Sequence, residues 1–189
     1  QLETNGDGSL ADGSSVRNVT LTIEPGVKVL GKTGTFANLV ITRGSKLMAM
    51  GTQSAPIVFS SDDEGLDGSG EWGGLIMHGY APHNECSEGG SYCDIDSEGE
   101  SGFAGGYDPN DSSGVLRYVV VAEGGYEFST GNEINGISLV SVGSLTEIDY
   151  IQVHGNSDDG IEFYGGNVNV KHGVFTSNND DSVDWDEGY

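Results

Sequence analysis

Basic residues are scarce in this chain. Seven lysines and arginines stand against 30 aspartates and glutamates, for a formal charge of −23. A duplex nucleic-acid binder needs a basic footprint, and this balance excludes one. Proline occurs four times and the glycines keep no period of three, which excludes collagen. No run approaches 18 apolar residues, so no membrane span is expected. Apolar residues never recur at i, i+3, i+4 and i+7 over three turns, so no amphipathic helix is predicted. Cysteine occurs only at positions 86 and 93. Two thiolates make a poor zinc site unless histidine helps, and His83 and His78 are the nearby candidates. The simpler expectation is a Cys86–Cys93 disulfide, which implies an oxidising compartment.

What the chain does have is glycine, 32 in 189 residues, more than twice the usual roughly 7%. Hydrophobic residues make up 35% and fall in short runs rich in Val, Ile, Leu and Thr. These runs are Val19–Ile23, Val27–Leu30, Leu39–Thr42, Ile57–Ser60, Leu75–His78, Leu116–Ala122, Ile137–Val142, Ile148–Val153, Ile161–Tyr164, Val168–Val170 and Val174–Thr176. Gly, Asn, Asp and Ser bound most of them and supply turns. The expectation is one all-β domain.

A repeat then fixes the architecture. Set Ile148–Gly166 above Val170–Gly188, at an offset of 22 residues. Val153 falls on Phe175, Asn156 on Asn178, Asp158-Asp159 on Asp180-Asp181, Ile161 on Val183, Glu162 on Asp184 and Phe163 on Trp185, with Ile151 on Gly173 the main mismatch. Earlier runs begin at Leu21, Leu39, Ile57 and Leu75, in steps of 18. Steps of this size suit one coil of a β-solenoid, whose coils stack at about 4.8 Å. The reading is a right-handed parallel β-helix of about seven coils over residues 19–189, after an N-terminal segment 1–18. A loop insertion at 79–114, carrying both cysteines, projects from one corner.

The stretches Leu21-Thr22-Ile23-Glu24-Pro25-Gly26, Leu39-Val40-Ile41-Thr42-Arg43-Gly44, Pro56-Ile57-Val58-Phe59-Ser60-Ser61, Glu71-Trp72-Gly73-Gly74-Leu75, Asn132-Glu133-Ile134-Asn135-Gly136 and Asp158-Asp159-Gly160-Ile161-Glu162-Phe163-Tyr164-Gly165-Gly166 follow in order. In this the chain resembles right-handed parallel β-helix proteins that bacteria, many of them marine, secrete or display on their surface. Such proteins usually continue past a segment like Trp185–Tyr189, so the resemblance implies a fragment of a longer chain. It also implies an extracellular or cell-surface location.

Stacked acids are the main candidate for chemistry. Asp158, Asp159 and Glu162 lie one coil below Asp180, Asp181 and Asp184, with Asp186 close behind. Like charges about 5 Å apart repel unless a cation intervenes. Ca²⁺, which takes six to eight oxygens, is the cofactor these seven carboxylates suggest, with Asn156, Asn178 and Asn179 beside them. A solvated corner in which Asp caps turns is the competing reading. A third is catalysis by Asp158, Asp180 and Asp181. Asn156-Ser157-Asp158 followed by Asn179-Asp180-Asp181 is similar to the polygalacturonase-type glycoside hydrolases, in which carboxylates on neighbouring coils act as acid and base. That family also uses a Gly-His-Gly-like and an Arg-x-Lys-like segment, and this chain shows neither. A lyase would want a basic residue beside the acids, and Lys171 is the candidate.

Weaker candidates are Asp62-Asp63-Glu64 with Asp67 and Glu71, read as a solvated corner or a loop-borne calcium site, and a partial calcium-loop spacing in Glu3–Ser9 with Ser14 where a glutamate belongs, read rather as a flexible N-terminal segment. Trp72, Tyr80, Tyr107, Tyr126, Tyr164, Trp185 and Tyr189 suggest either a sugar-stacking face or packing. The function expected is an extracellular β-helix module, calcium-stabilised, for adhesion, polysaccharide binding or filament or matrix assembly. Its partners would be a polysaccharide or other surface component, or a second copy at the open solenoid end. The alternative is a truncated polysaccharide-degrading hydrolase or lyase.

Overall fold

The computed structural model describes residues 18–63, 65–90, 93–96, 101–130 and 132–189. The Glu3–Ser9 spacing, nearly all of the 1–18 segment and Glu64 lie outside these. Every regular element among the described residues is a strand. β1 (Thr20–Ile23), β2 (Lys28–Gly31) and β3 (Asn38–Ile41) make the first coil. β4 (Lys46–Met50), β5 (Ile57–Ser61) and β6 (Gly74–His78) make the second. The antiparallel pair β7 (Ile95–Asp96) and β8 (Phe103–Ala104) belongs to the insertion that follows. The third coil is β9 (Gly114–Ala122), a small hairpin of β10 (Glu127–Ser129) and β11 (Asn132–Glu133), and β12 (Ile137–Val140). β13 (Glu147–His154) and β14 (Ile161–Tyr164) form the fourth, and β15 (Asn169–Thr176) and β16 (Val183–Asp186) the fifth.

The coils stack with parallel register, so the molecule is a parallel β-helix. One face is the sheet β3-β6-β12-β14-β16. The other two are halves of the long strands. β9 pairs with β4 through Gly114–Arg117 and with β5 through Val119–Val121. Between the halves, Tyr118, Tyr150 and His172 turn the chain with φ of 49°, 51° and 48°. A left-handed residue inside an extended run bends it into a corner without ending the ladder.

The described residues make five coils rather than about seven. Leu39 lies in register with Leu75 one coil on, whereas Leu21 and Ile57 belong to the kinked faces. The 18-residue beat therefore steps between faces, and of its steps only the pair from Leu39 to Leu75 spans a whole coil. The 22-residue offset is a whole coil: Val153 pairs with Phe175 and Ile161 with Val183. Gly173 fits beneath Ile151's column because the Phe175 ring lies where a Cβ on Gly173 would stand, 2.6 Å away. β4 is a strand with no β-branched residue in Lys46–Met50, so it lacks the Val, Ile and Thr that mark the other runs.

Inward columns form the core. Leu39, Leu75, Ile137, Ile161 and Val183 make one, and Ile23, Ala49, Leu116, Ile148 and Val170 another. Each fully buried Leu, Ile or Val contributes about 1.5–3 kcal/mol.

The insertion does not project. It folds back over the outer side of the β3-β6-β12-β14-β16 face. Cys93, Ile95 and Ala104 pack there on Ile76, Val140 and Tyr164 as a second apolar cluster. The Cys86–Cys93 disulfide is formed and closes the loop, so no thiolate zinc site exists. Arg43, from the turn after β3, reaches into the insertion and is 1% exposed. It donates to the carbonyls of Cys93, Ala104 and Gly105 at 2.6, 3.2 and 2.8 Å and to Asp94 at 2.6 Å.

The insertion rejoins the coil at Gly114, whose φ is 116° and where a Cβ would lie 2.1 Å from the Leu47 carbonyl oxygen. Gly114→Ala is expected to cost about 3 kcal/mol or more, because backbone strain and a backbone clash add. Urea unfolding measures it, and a loss under about 1 kcal/mol would contradict this geometry.

Candidate functional site

The corner leading into the β3-β6-β12-β14-β16 face carries loops of unequal length. After β5 and β9 they are long; after β13 and β15 they are short. The long pair forms a wall. Glu71 and Gly70 N–H groups donate to the Glu123 and Gly124 carbonyls at 2.8 Å, and the Trp72 indole donates to the Ala122 carbonyl at 2.7 Å. Glu123 is buried with φ of 62° and accepts from the Ser60 and Ser61 hydroxyls and from Gly68 N–H. Beside this wall opens a cleft of about 390 Å³, lined by Gly70, Gly125, Tyr126, Glu127, Glu133 and Ser157.

The short loops bring the acids together. Asn156 N–H donates to Asn178 Oδ1 at 3.2 Å, and Asn156 Nδ2 donates to the Ile134 and Asp159 carbonyls. This amide stack holds the turns in register. Asp158, Asp159 and Asp180 then offer carboxylate oxygens within 4.8 Å of one another, and so do Asp159, Glu162 and Asp184. Asp159 and Glu162 are each 7% exposed. Glu162 accepts from Asn135 Nδ2, which also donates to the Tyr164 hydroxyl. Ser138 stands in register one coil below Glu162, is 2% exposed, and its hydroxyl has no hydrogen-bond partner among the described residues.

Burial and crowding raise two of these carboxyls. Asp159 is pushed up to about 6, first by burial and then by the charges of Asp158, Asp184 and Asp180, against the lowering effect of the Asp181 N–H that it accepts at 2.8 Å. Asp158 is also raised, by burial and by Glu133, Asp180 and Asp184. No lysine or arginine pairs with Asp158, Asp159, Asp180 or Asp184 among the described residues. The donor set is all oxygen, the chemistry a hard cation such as Ca²⁺ takes.

Of the seven predicted carboxylates, five converge. Asp181 reaches the group through its backbone N–H, while its side chain is exposed. Asp186 joins neither cluster, its carboxyl raised by burial and by the charges of Glu187, Asp184 and Glu85 against the lowering effect of His83. Asp158 and Asp180 each offer a carboxylate oxygen within 4.8 Å of the other. Lys171 lies on another face, in register with Asp149, and is no base for this site. In the Asp62 group, Asp62 pairs with Lys32 at 3.1 Å and Glu71 with Ser61. The seven aromatics share no face: Trp72 is in the core, Tyr164 in the outer cluster, and Tyr189 stacks on Phe163. Glu133, Asn135 and Ser138 were given no role from sequence. The uneven loop between β9 and β12 hides their register with the 22-residue repeat.

A family model described as a pectate-lyase like beta helix domain matches residues 9–189. No curated protein and no solved structure matches the chain.

Proposed function

The chain belongs to the pectate-lyase-like beta-helix family, and from that premise we propose that it is an extracellular or cell-surface module that engages polysaccharide at the acidic corner and is stiffened there by Ca²⁺. The observation that carries this reading is the Asp159–Glu162–Asp184 group, whose carboxylate oxygens lie within 4.8 Å of one another while Asp159 and Glu162 are buried. Burying carboxylates together is costly unless a counter-charge is present. Asp159, Glu162 and Asp184 would hold the ion, with Asp158 and Asp180 beside it and Ser138 from the coil below. The ion would cancel repulsion between coils four and five. The adjoining cleft, with Tyr126 in its wall, offers room for a sugar chain. The disulfide suits an oxidising compartment. Adhesion and matrix or filament assembly are uses such a module would serve, with a surface polysaccharide or a second copy as partner.

Calorimetric melting tests the metal. The midpoint is expected to rise in millimolar Ca²⁺ and to fall with chelator. An unchanged midpoint removes calcium from the proposal. Gel retardation on neutral and acidic polysaccharides tests the ligand, and free migration on all of them removes that part.

The second reading is a hydrolase or lyase using Asp158, Asp180 and Asp181, and the elevated Asp159 beside other carboxylates favours it. Reducing ends or unsaturated products released from the same panel would establish it.

A further inference from the structure

At the base of the insertion, just past the end of β16, three donors of mixed chemistry meet. His83, Glu85 and Glu187 each offer a ligand atom within 4.8 Å of the others. His83 is 8% exposed, and its Nε2 faces the Glu187 carboxylate at 3.8 Å, too far for a hydrogen bond. Beside it opens a cavity of about 360 Å³ lined by Pro82, His83, Asn84, Gly166, Asn167 and Gly188. The backbone is held tightly on both sides: Asn84 N–H donates to the Glu187 carbonyl at 3.0 Å, and Gly166 N–H to the Pro82 carbonyl at 2.8 Å. Burial favours the neutral imidazole. No lysine or arginine pairs with Glu85, Asp186 or Glu187 among the described residues.

We propose that His83, Glu85 and Glu187 bind a borderline divalent metal ion, Zn²⁺ being the best match, and so clamp the insertion to the fifth coil. One imidazole nitrogen with two carboxylates suits zinc rather than calcium, and three protein ligands leave a position for water. The site is independent of the calcium reading. It has a chemical consequence in the ring. Nδ1 now accepts the Glu85 N–H at 3.2 Å, which places the imidazole proton on Nε2. Ligation by Nε2 moves that proton to Nδ1, and the Glu85 amide, in an exposed turn, must give up its contact.

The test is calorimetric titration of tag-free protein with Zn²⁺ in saturating Ca²⁺. One ion per chain is expected. Glu85→Gln and Glu187→Gln change exposed or half-exposed side chains, leave the fold intact and each weaken binding about tenfold or more. His83→Gln abolishes binding, with its melting curve recorded alongside. Asp159→Asn and His172→Asn leave Zn²⁺ binding unchanged. In the parent, the Glu85 amide proton shifts on loading. No Zn²⁺ binding, full binding in the Glu85→Gln/Glu187→Gln double variant, or loss in His172→Asn overturns the site.

Discussion

Arg43→Met is expected to lower the unfolding free energy by about 3–5 kcal/mol, the range for breaking a buried, hydrogen-bonded charge pair. The guanidinium is the tether between the coil and the insertion. Removing it takes the cation from Asp94 and the guanidinium donor from three carbonyls, of Cys93, Ala104 and Gly105. The ring of Tyr80, 5.1 Å from the guanidinium carbon, loses its cationic neighbour as well. Methionine fills much of the volume, so the loss reports polar satisfaction rather than a cavity. Arg43→Lys should recover only part of it, since one ammonium cannot reproduce the planar fork that serves three carbonyls and a carboxylate. Urea unfolding gives the magnitude. Hydrogen exchange locates it, with amides of the insertion near Ile95 and Ala104 losing protection before those of β13. A cost below about 1 kcal/mol, or a loss of protection spread evenly over all coils, would show that the insertion does not depend on this residue.

Asp159→Asn has the second large expected effect, and its sign depends on calcium. In chelator at pH 7 the variant should be more stable than the parent by about 1–2 kcal/mol. The raised carboxyl sets the direction. The folded state holds its proton more tightly than the unfolded chain, so this group favours folding below the ordinary 3.8 and that contribution is lost as pH rises through about 6. The difference between variant and parent therefore opens across this window and is flat above it. Converting the whole shift at about 1.36 kcal/mol per pH unit would overstate the gain, because part of the group still meets solvent. The Asp181 N–H keeps an acceptor in Asn Oδ1. Added Ca²⁺ should reverse the order. At about one hundred times its dissociation constant an ion adds about 2.7 kcal/mol to the parent and little to the variant. Equal calcium responses, or a variant less stable in chelator, would mean that the carboxylates repel too weakly to need an ion.

How much of this was legible in the sequence differs between the two ends of the chain. In the last two coils the loops are short and equal, so the 22-residue offset is the true coil. The stacking of Asp158, Asp159 and Glu162 on Asp180, Asp181 and Asp184 could be read directly. In the first three coils the connections differ in length, and the eye catches the spacing between faces instead. That is why 18 residues looked like a coil. The same unevenness hid Ser138 and Asn135, which reach the acidic corner from the coil below. Asp186 was grouped with the ladder because it follows Asp184 by two. Two residues along a strand point to the same side but move along the face, and there the insertion supplies other neighbours in His83 and Glu85.

Composition, the period-two apolar runs and the glycine and asparagine turns were enough to determine a β-helix with a disulfide, because backbone geometry and the inward column depend only on local pattern. That Asp181 and Asp186 stand apart from the shared site, and that Ser138 and Asn135 reach it, was decided by the tertiary structure alone. That depends on loop lengths and on where the insertion comes to rest, and Coulomb repulsion between residues many positions apart has no signature in local sequence.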